Sequence, residues 1–361
     1  MSYTRFAPTD FVISSDSVTA PAWSSNQPTL TTFFTASVTP TTTISAGAFY
    51  LNVYQSPTTA NGSSIQFAAA YGHIAGSGSQ WYNPLVAGVS PSLTTYRQYE
   101  TLVYGPALSG SLQGFNFGGL ATSAPDIFAL NIDRNRYKQN LFPGTFNLSL
   151  SGSGGQITLC DNSNDVTTVT YLDCGRVFNL VSGSYGKAVN GNVTGQIAPG
   201  YTVSGSYGFY LPDLGVIILN ASTLALGNTL GGIGLVLDRA NYGAAGFTLP
   251  ASASYTSTNN TNLYQCISRS ANFQLNSQET ISSNYVFVRI GNSDYNYSSN
   301  PTFVSSSGQV LYPTMIYSPQ TYVTTVGLYN DSSELLAVAK MSKPLVKDFT
   351  KEALIRVKLD W

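Results

Sequence analysis

Short apolar runs, broken at close intervals by Gly, Asn, Asp and Pro, cover almost the whole chain, and no stretch of fifteen residues carries a sustained helical apolar repeat. Phe49–Tyr54 is aromatic and β-branched and stops at Ser56-Pro57. Asn61-Gly62 is a tight-turn signal, and Ser64–Ala68 follows it with alternating polarity. Gly144–Leu150, Val166–Tyr171, Gly205–Tyr210 and Leu214–Leu219 repeat the pattern. Such punctuation predicts an all-β, multi-domain chain of β-sandwich or Greek-key barrel modules with very little helix. The expected helical pieces are one or two turns over Asp133–Asn140, before Pro143, and a short one over Ser222–Gly227 with Ser222 as N-cap.

The C-terminal region has the cleanest pattern. Tyr322–Tyr329, the turn Asn330–Ser333 and Glu334–Lys340 predict a hairpin. Ala353, Ile355, Val357, Leu359 and Trp361 alternate with Leu354, Arg356, Lys358 and Asp360, so a final strand with one apolar face is expected. Whether it pairs within or between chains is open in the sequence. Lys340, Lys343, Lys347, Lys351, Arg356 and Lys358 concentrate here and are expected on the opposite face or in turns. Before Asp126, in contrast, the only charges are Arg5, Asp10, Asp16, Arg97 and Glu100. This uneven charge suggests three regions: residues 1–125, 126–255 and a basic 256–361.

Charge also limits function. Only 9% of residues are charged, against about 25% in an average soluble domain, and the net charge is −1. A nucleic-acid binder working by phosphate neutralisation, or a polybasic membrane-surface protein, needs a clustered basic surface that this balance excludes. Ser, Thr, Asn, Gln and 24 Tyr fill the polar positions without like-charge repulsion. The expectation is therefore a chain covered by partners in an assembly; the plainer alternative is a soluble β-protein with a hydroxyl-rich surface. Cys160, Cys174 and Cys266 are odd in number and lack zinc or redox spacing, which predicts reduced core thiols. The N-terminus has no apolar signal core, and no run has the ~18 apolar residues of a spanning helix.

Organised chemistry is sparse. His73 is the only imidazole; Ser77 and Ser79 are near it, but no G-x-S-x-G elbow exists. Gly186-Lys187 is followed by Ala188, which breaks the P-loop pattern, and Gly231-Gly-Ile-Gly234 lacks the third dinucleotide glycine. Asp161-Asn-Ser-Asn-Asp165 has alternating oxygen side chains but neither the glycine nor the distal Glu of an EF-hand, and reads as a turn rather than a cation site. Asp126, Asp133, Asp213 and Asp238 are candidates for the carboxylate pair of a glycosidase, with nothing to select two of them. Sequons such as those at Asn147 and Asn192 are expected by chance in this composition. The reading is a non-enzyme with no catalytic, cofactor-binding or metal-ligating residues.

Phe67–Ser79 with Tyr96–Tyr104, Asn135–Gly144, and Gly327–Lys340 with Val357–Trp361 together resemble virion structural proteins of large contractile-tailed bacteriophages, including cyanobacterial phages, usually described as structural or baseplate-associated. The resemblance runs from about residue 65 onward and carries no catalytic signature. It implies a structural protein of the tail baseplate or its periphery, made in the host bacterial cytoplasm and assembled into the virion. The implied partners are other virion proteins and further copies of the chain, with no nucleic acid, membrane, small-molecule substrate or cofactor. The alternative is a receptor- or glycan-binding tail fibre or adhesin, with exposed Tyr and Trp (Trp23, Trp81) and the Asn and Asp of loops holding sugars. No shaft repeat is present, which favours the baseplate.

Overall fold

A computed structural model describes residues 4–35, 50–74, 76, 92–106, 114–117, 123–189, 207–227, 231–237 and 257–360. Expectations placed on Ser77, Ser79, Trp81, Asn192, 205–206, Asp238 and Trp361 fall outside these residues. The chain divides into a larger unit, Val18–Glu279, and a smaller unit, Met1–Ser17 with Thr280–Trp361. These do not coincide with the divisions at 125/126 and 255/256 suggested by charge. The reason is pairing: the strand ending at His73 lies alongside the one beginning at Asp126, in register from Phe67↔Ile132 to His73↔Asp126.

In chain order the strands are β1 (Phe11–Pro21), β2 (Thr29–Leu30), β3 (Phe34–Thr35), β4 (Tyr50–Tyr54), β5 (Ile65–His73), β6 (Asp126–Ile132), β7 (Asn140–Leu141), β8 (Asn147–Gly152), β9 (Gly155–Asp161) and β10 (Thr170–Leu172). They continue with β11 (Gly175–Ser184), β12 (Lys187–Ala188), β13 (Gly208–Leu211), β14 (Val216–Asn220), β15 (Phe273–Gln274), β16 (Asn276–Ile290), β17 (Thr321–Tyr329), β18 (Leu335–Lys347) and β19 (Ala353–Asp360). The helices are α1 (Ser92–Tyr104), α2 (Ala221–Leu224), α3 (Ser257–Ser270) and α4 (Thr314–Tyr317). The chain is mostly β, as its punctuation predicts.

The larger unit is built on one antiparallel sheet in the order β2-β15-β8-β9-β11-β13-β14-β6-β5-β4-β3, with β10 and β12 attached to β11. Laid flat, eleven strands would set the outer two about 48 Å apart at ~4.8 Å per step. Yet β2 and β3 are joined by Thr31, Thr32 and Phe33 alone, a reach of about 15 Å at ~3.8 Å per Cα. The sheet must curl until its edges nearly meet. One face of each long strand then turns to a shared interior holding Trp23, Phe67, Phe128, Leu148, Phe146, Tyr210 and Phe273. Phe273 packs edge-on to Trp23 and Phe67, at 4.8 and 5.3 Å between ring centres.

Helices cover both faces of this sheet. From α3, Leu263, Cys266 and Ile267 join the interior cluster. From α1, Tyr96, Tyr99 and Val103 pack with Phe115 and Phe117 against Ile127, Phe209, Leu211 and Ile218 on the other face. Hence β13 and β14 are buried along their whole length, which accounts for the unbroken apolar run Val216–Leu219. Neither helix is among the sequence expectations. Their buried apolar stripes hold only three residues each and use Tyr and Cys, too little to stand out as an apolar repeat. Over Asp133–Asn140 only the short turn Arg134–Arg136 forms, and α2 is capped by Asn220, whose Oδ1 accepts from the Thr223 N–H, rather than by Ser222. At Gly215 the chain takes φ +69° with the Tyr137 ring 2.6 Å from where a Cβ would stand, so only glycine fits.

In the smaller unit β19 pairs antiparallel with β16, placing Val357 opposite Val286, and β1 lies on the other side of β16. The final strand therefore pairs within the chain, with the alternation its sequence predicts. The expected hairpin is β17–β18, with Val326 opposite Ala339. Val286, Val326, Leu328 and Val357 form the buried core of this unit. Among the described residues no helix is long and apolar enough to cross a membrane.

Candidate functional site

The sole histidine lies in a buried polar cluster. His73 stands opposite Asp126 in the β5–β6 pair, with Nε2 3.4 Å from Oδ1. Tyr71 OH donates to the same oxygen, and Ser222 Oγ donates to Oδ2 at 3.0 Å. Serine, histidine and aspartate are thus together, in an order unlike a nucleophilic triad. A triad needs the imidazole between hydroxyl and carboxylate, so that it can take the hydroxyl proton. Here the carboxylate lies between them, accepting from Tyr71 and Ser222 with the imidazole beside it, which ties β5, β6 and α2 together.

The other sequence candidates are engaged in holding backbone. Asp161 accepts from Gly144 N–H at 2.9 Å and Ser163 N–H at 3.0 Å, while Asn162 Oδ1 accepts from Asn179 N–H at 3.1 Å. Asp165 accepts from Ala188 N–H at 2.6 Å. Burial raises the Asp161 carboxyl above its ordinary range, although hydrogen bonds from Ser163 and Gly144 work against this. The 161–165 segment is a turn clamped to its neighbours. Asp133 caps the Arg134 turn through Asn135 N–H, and Asp213 pairs with Arg176 at 2.6 Å. Among the described residues no group of three His, Cys, Asp or Glu could hold a metal. Cys160, Cys174 and Cys266 are buried and unbridged; burial pushes the Cys160 thiol up to about 12 and raises the other two. Trp23, proposed above as a sugar platform, is instead enclosed in the interior, because its indole N–H is satisfied by Pro28 O at 3.1 Å and its ring packs edge-to-face with Phe67 and Phe273.

A surface that sequence reasoning missed lies in the smaller unit, where residues 291–320 connect β16 to β17. Connections beyond about 12–15 residues without regular structure are uncommon and usually functional. This one contains only the short α4 and a single bridge, Val304↔Val310. It is held from below by Lys347. That lysine, expected at the surface, is fully buried, because its Nζ finds Asn292 O at 2.9 Å, Asn296 Oδ1 at 2.8 Å and Asp348 O at 2.9 Å. Three oxygen acceptors satisfy all three donors of an ammonium group. Asn296 Nδ2 returns to Asn292 O at 2.7 Å, and Thr321 Oγ1 donates to Tyr295 O.

On this braced segment Tyr295, Tyr297, Tyr312 and Tyr317 face solvent, Tyr317 at 95% exposure. Between Arg289 and Asp331 the only charge is Asp294, whose carboxylate accepts from Gly291 N–H at 2.9 Å. The result is a surface of phenol rings, amides and hydroxyls with a single carboxylate, suited to stacking and hydrogen bonding more than to ion pairing. Its sequence signal is the combination of tyrosine density and missing charge over this span.

No family model matches the chain, and no curated protein or solved structure matches it either.

Proposed function

We propose that the protein is a non-enzymatic structural component of a contractile-tailed phage virion, in the tail baseplate or its periphery, joining neighbouring subunits. The observation that carries this reading is the unfinished surface of the smaller unit. Ile13 is 80% exposed, Leu336 69% and Leu354 63%. Among the described strands, the outer edges of β1 and β19 and both edges of the β17–β18 hairpin have no partner strand. Open apolar edges are aggregation hazards that monomeric proteins blunt, and subunits of an assembly cover them with neighbours. The resemblance supplies the kind of assembly. Mass spectrometry of purified, cross-linked particles tests the reading: Lys340 and Lys343 on the hairpin are expected to link to other virion proteins or to further copies. Absence of the chain from washed particles would overturn it.

A second reading, a receptor- or glycan-binding fibre or adhesin module, is favoured by the braced tyrosine segment. It predicts that the isolated chain retains neutral oligosaccharides from the host surface, and that Tyr317→Ala with Tyr297→Ala abolishes retention. Retention unchanged in that double variant would exclude this surface as the sugar site.

A further inference from the structure

Cations are scarce in this chain, and five of the fifteen described, Arg97, Arg176, Arg289, Lys351 and Lys358, form an ion pair with a carboxylate. The turn after β6 gathers three of the remaining ten. Arg134, Arg136 and Lys138 fall within five residues, and the neighbouring carboxylate, Asp133, is occupied by the Asn135 N–H at 2.9 Å. None of the three meets a carboxylate among the described residues.

The backbone of this turn is firmly held. Arg136 N–H donates to Asp133 O at 2.8 Å, and Lys138 N–H donates to Ser277 Oγ at 2.8 Å. Between them Tyr137 is buried, with its OH donating to Leu214 O at 3.0 Å. The Arg134 guanidinium lies 4.6 Å from the centre of the Tyr137 ring and donates to Tyr137 O at 2.6 Å. One group is left over: Arg136 Nε is shut off from solvent and has no acceptor. A buried guanidinium N–H without an acceptor is rare in a native fold and calls for a missing group. The acceptor that a guanidinium edge fits best is an oxyanion, which can take two parallel N–H bonds.

We infer that Arg134, Arg136 and Lys138 form a binding site for an oxyanion, a carboxylate or phosphate group, with Arg136 Nε as its directional donor. Three cations within five residues, beside the single carboxylate of Asp133, suit a single anionic group, not the repeated phosphates of a nucleic acid. The site stands whether or not the protein belongs to a virion.

The test follows the Arg136 Nε–H resonance of the full chain during separate titrations with acetate and inorganic phosphate, against chloride at matched ionic strength. The resonance is expected to move saturably with at least one of the two. Acetate alone would assign a carboxylate, and phosphate alone a phosphate. Arg136→Lys keeps the charge but removes Nε, and is expected to abolish the saturable shift of the Tyr137 amide; Lys138→Met is expected to weaken binding several-fold. Arg134→Met, at an exposed position, gives the same reading if Arg136→Lys fails to fold. Movement no larger than in chloride would show that no oxyanion reaches Nε and would overturn the proposal. So would saturation with an unchanged midpoint in all three variants.

Discussion

The larger unit encloses its apolar residues on both faces of one curled sheet, whereas the smaller unit buries Val286, Val326, Leu328 and Val357 and leaves longer side chains outside. Both draw on the same composition of β-branched and aromatic residues separated by turns. The difference is closure. A sheet whose end strands are joined by three residues creates an interior and has faces for α1 and α3 to cover. A hairpin beside a short sheet provides one shallow layer, and polar bonds such as those of Lys347 must stand in for missing apolar depth. Burial thus makes the larger unit the more deeply packed of the two and leaves apolar side chains of the smaller one exposed.

The largest expected effect tests the scaffold. Phe273→Ala removes a fully buried ring that touches Trp23, Phe67 and Phe146. The cost should be about 3–5 kcal/mol in denaturant unfolding, as for other buried Phe-to-Ala changes. A loss below about 1 kcal/mol would mean that the interior is loosely packed and the contrast between the units is false.

Next, Lys347→Met should cost the smaller unit about 1–3 kcal/mol, since it strands Asn292 O, Asn296 Oδ1 and Asp348 O without their donor. Amide exchange should quicken over residues 291–300 and stay unchanged in β13 and β14. Equal quickening in both places would show that the units unfold together.

Acid should separate the units as well. In the smaller one, hydrogen bonds from Thr350 and Lys351 lower the Asp348 carboxyl to about 2, and bonds from Ser283 and Lys358 lower Asp360. A carboxyl lowered by folding stabilises the fold above its unfolded value of about 3.9 and loses that contribution as pH falls through the folded value. In the larger unit, burial would raise Asp213, but its bonds to Arg176 outweigh this and hold it low; burial raises Asp161. Protonation therefore weakens the fold at Asp213 and favours it at Asp161. Between pH 4 and about 2 the turn 348–351 and β19 should loosen before β13 and β14, as read by exchange at each pH and corrected for intrinsic rates. Loosening in the reverse order would break the comparison.

The smallest effect on stability should come from Leu336→Glu, within about 0.5 kcal/mol, because the side chain is 69% exposed. Its effect on association should be larger. With a net charge of −1 the wild-type chain should self-associate near neutral pH, and the added charge should shift its sedimentation towards monomer. A monomeric wild type at high concentration would mean that the exposed apolar surface of the smaller unit is tolerated without partners.

The local pattern alone determined β4, β8 and β14, the β17–β18 hairpin and the alternation of β19, because the side-chain period of a strand and the chemistry of its turns are properties of neighbouring residues. Tertiary structure decided what has no local signature. The curl of the large sheet depends on which distant strands pair, and α1 and α3 exist because that sheet offers apolar faces to cover their narrow stripes. Trp23 and Lys347 show the same limit for the candidate sites. A tryptophan near the N-terminus and a lysine in a basic stretch both read as surface residues, yet both are buried, because Pro28 O and the oxygens of Asn292, Asn296 and Asp348 come within reach of their N–H groups only in the folded chain. Burial of a polar group is settled by the partners that folding delivers, and those partners are not written beside it in the sequence.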